Sequence, residues 1–146
     1  MRITYKGDYA LKAILDLALQ YGNGPVQIQA IAISTDAPVK FLEQVLLDLK
    51  RGGFVNSRRG KEGGYLLAKS PSEIRVGDVI RFIDGNSEPI ACVAEDYQNC
   101  HHIRNCVFRK IWQDVAKATS NIIDNITFDD LAKQVQADPE AAEYTI

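Results

Sequence analysis

Residues 92–106, CVAEDYQNCHHIRNC, hold all three cysteines and both histidines of this 146-residue chain. Thiolate is a soft donor suited to iron–sulfur and zinc centres, and imidazole is an accommodating second ligand. The segment is therefore a candidate metal site, a redox switch or a loop of structural thiols. Spacing alone leaves these open. Cys92, Cys100 and Cys106 stand eight and six positions apart, which matches neither the short C-x₂₋₄-C of structural zinc nor a common ferredoxin run. A Cys–His pair is also the kernel of a cysteine hydrolase. However, no Asn or Asp motif to orient the histidine and no oxyanion element is recognisable, so no enzyme is expected.

A second chemical group lies upstream, in NSRRGKEGG, residues 56–64. Arg58, Arg59 and Lys61 crowd three cations around a glycine turn, with no structural reason to cluster there. They sit in the basic half of the molecule. Residues 1–70 carry ten Lys and Arg against six Asp and Glu, whereas residues 71–146 carry seven against thirteen. The net charge of −2 thus conceals one region suited to a polyanion.

The elements that would position these groups follow from periodicity. Ala10, Ala13, Ile14, Leu17, Ala18 and Tyr21 predict a helix from Asp8 to Tyr21, ended by Gly22-Asn23-Gly24-Pro25. A short apolar segment, Ile28 to Ile33, leads to Ser34-Thr35-Asp36-Ala37-Pro38, whose residue types suit helix caps and a first turn. A strong helix follows from Val39 to Arg51, with Phe41, Leu42, Val45, Leu46 and Leu49 on one face and Gly52-Gly53 as its stop. Phe54-Val55 and Tyr65-Leu66-Leu67 then read as two strands of a hairpin. Three helices and a basic hairpin make a winged helix-turn-helix, whose third helix enters the major groove of DNA.

Beyond it, Val76 to Ile83 forms an amphipathic helix, and Asp84 to Pro89 a linker. After the cysteines, Phe108, Ile111, Trp112, Val115, Ala118 and Ile122 recur at spacings of three and four on a long helix. That stripe has no partner of similar length, so it either packs back on the first helix or pairs with its own copy. Thr127 to Val135 is a last short helix with Asp129 and Asp130 in its first turn. The expected fold class is mainly α, a winged helix-turn-helix domain plus a long C-terminal dimerisation helix. The expected divisions are 1–84 for DNA binding, 85–107 for linker and cysteine loop, 108–135 for the dimerisation and closing helices, and 136–146 for a flexible tail.

Apolar residues make up 46% and charged residues 25%, ordinary for a soluble globular protein, and no apolar run reaches membrane-spanning length. Lys6, Asp8 and Lys12 fall where a signal peptide would need an apolar stretch. A cytoplasmic protein is expected, and in that reducing setting three cysteines are not a disulfide framework.

MRITYKGDYALKA, FLEQVLLDLKRGGFVNSRRG with GGYLLAK, VGDVIRFIDG, the cysteine segment and IWQDV with NIIDNITFDDLAK together resemble the Rrf family of winged-helix transcriptional regulators, closest to its iron–sulfur cluster regulator (IscR) branch. The resemblance spans nearly the whole chain. It implies a homodimer on approximately palindromic double-stranded DNA, with no membrane partner. It also implies crossed long helices, with each cysteine loop near the partner's DNA-binding domain.

The same resemblance implies that Cys92, Cys100 and Cys106 hold an iron–sulfur cluster, [2Fe–2S] or [4Fe–4S]. Such a cluster would set DNA affinity by sensing iron, redox state or nitric oxide. The branch places a histidine three residues after the last cysteine; here that position is Arg109, whose protonated guanidinium cannot ligate. His101, His102 and Asp8 are the candidate fourth ligands, and Asp8 matches a carboxylate used by a nitric-oxide-sensing (NsrR) branch. On DNA the resemblance assigns Lys40, Phe41, Glu43 and Gln44 to the recognition helix and Arg59 to the minor groove. Arg58 and Lys61, with Lys40 and Lys50, are expected on phosphates. Pro38 replaces the small polar residue expected at its position. Some relatives lack a metal, so a regulator acting through thiols or a partner protein is the alternative.

Overall fold

The computed structural model describes residues 1–138 and 140. Among them, six helices and one two-stranded sheet run in the order α1 (Tyr5–Leu19), α2 (Ile28–Thr35), α3 (Val39–Arg51), β1 (Val55–Arg58), β2 (Gly64–Leu67), α4 (Val76–Asp84), α5 (Val107–Ile123) and α6 (Phe128–Ala137). The winged helix-turn-helix architecture expected from the sequence is present.

Helix α1 starts a turn earlier than its apolar stripe, because the Thr4 hydroxyl accepts from Gly7 N–H at 3.0 Å and caps it. Asp8 is therefore a first-turn residue, where a carboxylate favours the N-terminal dipole. Ala10, Ala13 and Ile14 are fully buried, whereas Tyr21 lies past the helix end and is 52% exposed. Asp84 closes the other side of this corner. It accepts from the Thr4 N–H at 3.0 Å and from the Thr4 hydroxyl, and a Cβ on Gly7 would strike its carboxylate. Asp84 is thus the last residue of α4 and a structural anchor rather than the start of a linker.

Ser34, Thr35 and Asp36, whose types suit an N-cap for α3, instead close α2. The Ser34 and Thr35 hydroxyls donate back to the Ile31 carbonyl at 3.1 and 2.7 Å, and Asp36 takes a left-handed conformation with φ 50°. Pro38 is then the N-cap of α3 rather than part of its first turn. Leu42, Val45, Leu46 and Leu49 of α3 are all buried to 0% exposure against α1, so truncating any of them to Ala would cost ~2–5 kcal/mol.

In the wing, Val55 pairs with Leu67, Asn56 with Leu66, Ser57 with Tyr65 and Arg58 with Gly64. Phe54 precedes the strand and is buried. Val26 exchanges two 2.8 Å hydrogen bonds with Tyr65, tying the hairpin to the α1–α2 turn. Gly64 permits this approach: its φ is 148°, and a Cβ there would strike the Val26 carbonyl.

Helix α6 follows α5 in sequence yet packs on α1. Phe128 N–H donates to the Ile74 carbonyl and Val76 N–H to the Ile126 carbonyl, both at 3.0 Å. Phe128 and Ala132 enter the same apolar core as Ile14 and Leu42. With α2, α3, α4 and α6 on α1, the long helix does not pack back on α1. Only Ile123 of α5 is buried. Gln136 and Ala137 complete α6. The rest of the tail expected to be flexible lies, apart from Asp138 and Glu140, outside the described residues.

Candidate nucleic-acid interface and cysteine loop

Helix α3 turns Lys40, Glu43, Gln44 and Leu47 outward while Leu42, Val45, Leu46 and Leu49 face the core. The exposed residues form one face free to meet a groove. Phe41 lies at the edge of that face: half-buried, it packs edge-on against Tyr9 of α1, with ring centroids 5.5 Å apart. Lys50 spans from α3 to the wing, donating to the Ser57 hydroxyl at 2.7 Å. That contact gives Lys50 a structural partner beside the phosphate role expected of it.

Asp48 sits at the edge of this face nearest α1, its side chain 17% exposed. Lys6 of α1 ion-pairs with its carboxylate, Arg51 lies 3.5 Å away, and Gln44 Nε2 donates to Oδ1 at 3.3 Å. The Lys6 contact first, with help from Gln44 and Arg51, holds the Asp48 carboxyl below its ordinary value. Neither Asp48 nor Lys6 was marked by composition. The spacing of Gln44 and Asp48, four residues apart on one helix, was the available signal.

In the wing, Arg58 is an exposed strand residue, while Arg59 and Lys61 occupy the exposed turn. The Lys61 carbonyl accepts from Gln27 Nε2 at 3.3 Å, linking the tip to the start of α2. The wing is tied to α2 by this bond and to α3 by the Lys50–Ser57 contact.

The cysteine segment is mostly irregular, with a single short 3₁₀ turn, Ala91–Val93. Cys92, Cys100 and Cys106 are free and half-buried, and Cys106 is the N-cap residue of α5. His101 and His102 are exposed. Arg109 donates from Nε to the Cys92 carbonyl at 3.0 Å, pinning the first cysteine to α5. Asp8 instead pairs with Lys12 at 2.7 Å, its side chain 47% exposed. It lines an open depression of about 600 Å³ with Arg2, Ile3, Thr4 and Tyr5. Three free thiols fit a thiolate-bound centre in donor chemistry. Within one chain, though, the described residues gather no group of three or more His, Cys, Asp or Glu that could hold a metal ion.

Along residues 3–134 the sequence matches the profile of the Rrf2 family, described as an iron-dependent transcriptional regulator. The chain belongs to the Rrf2 family. Similar Rrf2 proteins include the HTH-type transcriptional regulator IscR of Pectobacterium carotovorum, 37% identical over 131 residues that cover 90% of this chain and 79% of that protein. Among solved structures, CymR, the global cysteine regulator of B. subtilis, superposes with a TM-score of 0.77 at 33% identity, covering 92% of this chain and 98% of that one. IscR of T. potens superposes with a TM-score of 0.72 at 32% identity, covering 92% and 88%. These Rrf2 relatives are transcriptional regulators and not enzymes, so the cysteine hydrolase alternative falls. An Rrf2 protein is a DNA-binding regulator, and no helix among the described residues is long and apolar enough to cross a membrane.

Proposed function

We propose that the chain acts as a homodimer on an approximately palindromic DNA site, and that an iron–sulfur cluster on Cys92, Cys100 and Cys106 sets its DNA affinity. One observation carries this reading: three free, half-buried thiols occupy one irregular segment that feeds directly into α5. Such a cluster supplies a group whose charge and bonding to the protein change with iron supply, oxidation or nitric oxide.

The chain's own residues supply the rest. The segment has few internal hydrogen bonds to break, so its thiolates can converge at modest cost. Arg109 holds the Cys92 carbonyl, so a rearrangement of the loop would be felt by α5. The apolar stripe of α5 is left uncovered, with Val107 75%, Phe108 63%, Ile111 51% and Ile122 62% exposed. For a symmetric dimer formed by a second copy covering it, half-sites one DNA turn apart, ~34–36 Å, are expected.

The test is anaerobic purification with iron and sulfide analysis, followed by DNA titration of loaded and stripped protein. Stoichiometric iron and sulfide, lost when Cys92, Cys100 or Cys106 becomes Ser, support the proposal. A colourless, iron-free protein with three titratable thiols overturns it. That result would favour the second reading, a regulator acting through thiols or a partner protein. In its favour stands the likeness to CymR, the global cysteine regulator of B. subtilis.

A further inference from the structure

We propose that Asp48 is a positioning residue for Gln44, fixing its carboxamide so that an adenine is read in preference to a guanine. The inference rests on α3 being the recognition helix. Gln44 is exposed, one turn before Asp48 on the same face of α3. Its Nε2 donates to Asp48 Oδ1 at 3.3 Å.

A carboxylate only accepts hydrogen bonds, so it can face the amide NH₂ and not the amide oxygen. Asp48 is kept a carboxylate by Lys6 and Arg51, and Lys6 comes from another helix, so the arrangement does not depend on α3 alone. Gln44 Oε1 is therefore turned away from Asp48, with one N–H still unused. In the major groove adenine offers an amino donor beside the N7 acceptor, which matches an oxygen and an N–H side by side. Guanine offers two acceptors, O6 and N7. An unrestrained glutamine can rotate its amide and lead with the NH₂ group toward guanine. Here that rotation would press Oε1 against the Asp48 carboxylate.

Asp48→Asn keeps the size of the side chain but can accept or donate, so it releases Gln44 to either orientation. The experiment selects bound sequences from a randomised duplex DNA library with the full chain and the variants Asp48→Asn, Asp48→Glu, Gln44→Ala and the Gln44→Ala, Asp48→Asn double mutant. The wild type should enrich a motif containing an adenine whose preference disappears in Gln44→Ala. Asp48→Asn should lower the adenine-over-guanine ratio at that position about fivefold or more, given what one bidentate base contact contributes. It should leave the other positions alone, add nothing in the Gln44→Ala background, and be rescued in part by Asp48→Glu. An unchanged ratio in Asp48→Asn overturns the proposal, as does equal loss at every position, which would mark a merely structural role. If Gln44→Ala erases a guanine preference or none, the proposal also falls while α3 keeps its DNA role. A wild type that enriches no motif removes both.

Discussion

Arg81 of α4 grips Asp124, just past α5, with both arms of its guanidinium, Nη1 to Oδ1 at 2.6 Å and Nη2 to Oδ2 at 2.9 Å. Nη2 also reaches the Ser120 hydroxyl at 3.3 Å, and Arg75 Nη1 donates to the Asp124 carbonyl at 3.0 Å. Two arginines of the head thus hold the C-terminal end of the long helix, while its N-terminal end begins at Cys106. A planar fork on a carboxylate fixes orientation as well as distance.

Loosening that grip should separate the motion of α5 from that of the head. Arg81→Ala is expected to lower stability by about 1–2 kcal/mol, the range for charged hydrogen bonds at a site a third exposed. Arg81→Lys should recover only part, since an ammonium cannot bind both oxygens in the same way. Thermal unfolding measures the first effect, and hydrogen exchange along α5 the second.

Asp16 should make the fold less stable at neutral pH than in mild acid. Burial holds its carboxyl above the ordinary value, while Gln20 Nε2, donating to Oδ2 at 3.4 Å, opposes the shift. A carboxyl with a raised folded pKa binds its proton more tightly when folded. Stability therefore rises as pH falls through the folded value and levels off below the unfolded value near 3.8. Asp16→Asn should flatten that part of the profile and stabilise the protein at pH 7 by less than ~1 kcal/mol. An unaltered pH profile would show that this carboxyl is not the cause.

The uncovered stripe of α5 yields a cleaner separation of assembly from folding. Ile111 is 51% exposed in one chain, so Ile111→Glu should leave the head folded by circular dichroism. In a dimer it would bury an unpaired charge, weakening association about 100-fold or more, equivalent to about 3 kcal/mol. Sedimentation velocity reads the result, and an unshifted dimer would place the interface elsewhere.

On DNA, Arg59 and Lys61 should behave differently although both are exposed on the same turn. Arg59→Ala should weaken specific binding by ~1–3 kcal/mol, whereas Lys61→Ala should weaken all sequences alike and flatten the salt dependence by about one unit. Equal losses for Arg59→Ala on specific and random duplexes would remove it from the minor groove.

If the cysteine loop carries a cluster, Asp8 is its candidate fourth ligand from the partner copy. Asp8→Ala should then alter the visible spectrum and uncouple DNA affinity from cluster state, while His101→Ala and His102→Ala should not. The Asp8 carboxylate must leave Lys12, 2.7 Å away, so Lys12→Met should favour the ligated form. The reverse pattern would assign the ligand to a histidine.

The winged head and the long helix were legible from the residues alone, because both are written in local terms. Apolar spacing on α3, glycines flanking the hairpin, and a single-sided stripe on α5 each act within one element. The cysteines and the basic wing were equally legible as chemistry. Element ends were less so: Thr4 extends α1 and the Ser34 and Thr35 hydroxyls close α2, because caps are settled by which hydrogen bond wins. Pairings across long sequence separations emerged only in the packed fold. These include the return of α6 to the head through Phe128 and Ile74, Arg81 on Asp124, Lys6 on Asp48 and Arg109 on the Cys92 carbonyl. Nothing in the spacing along the chain fixes such contacts, since each depends on how separately formed helices pack once their apolar faces are buried.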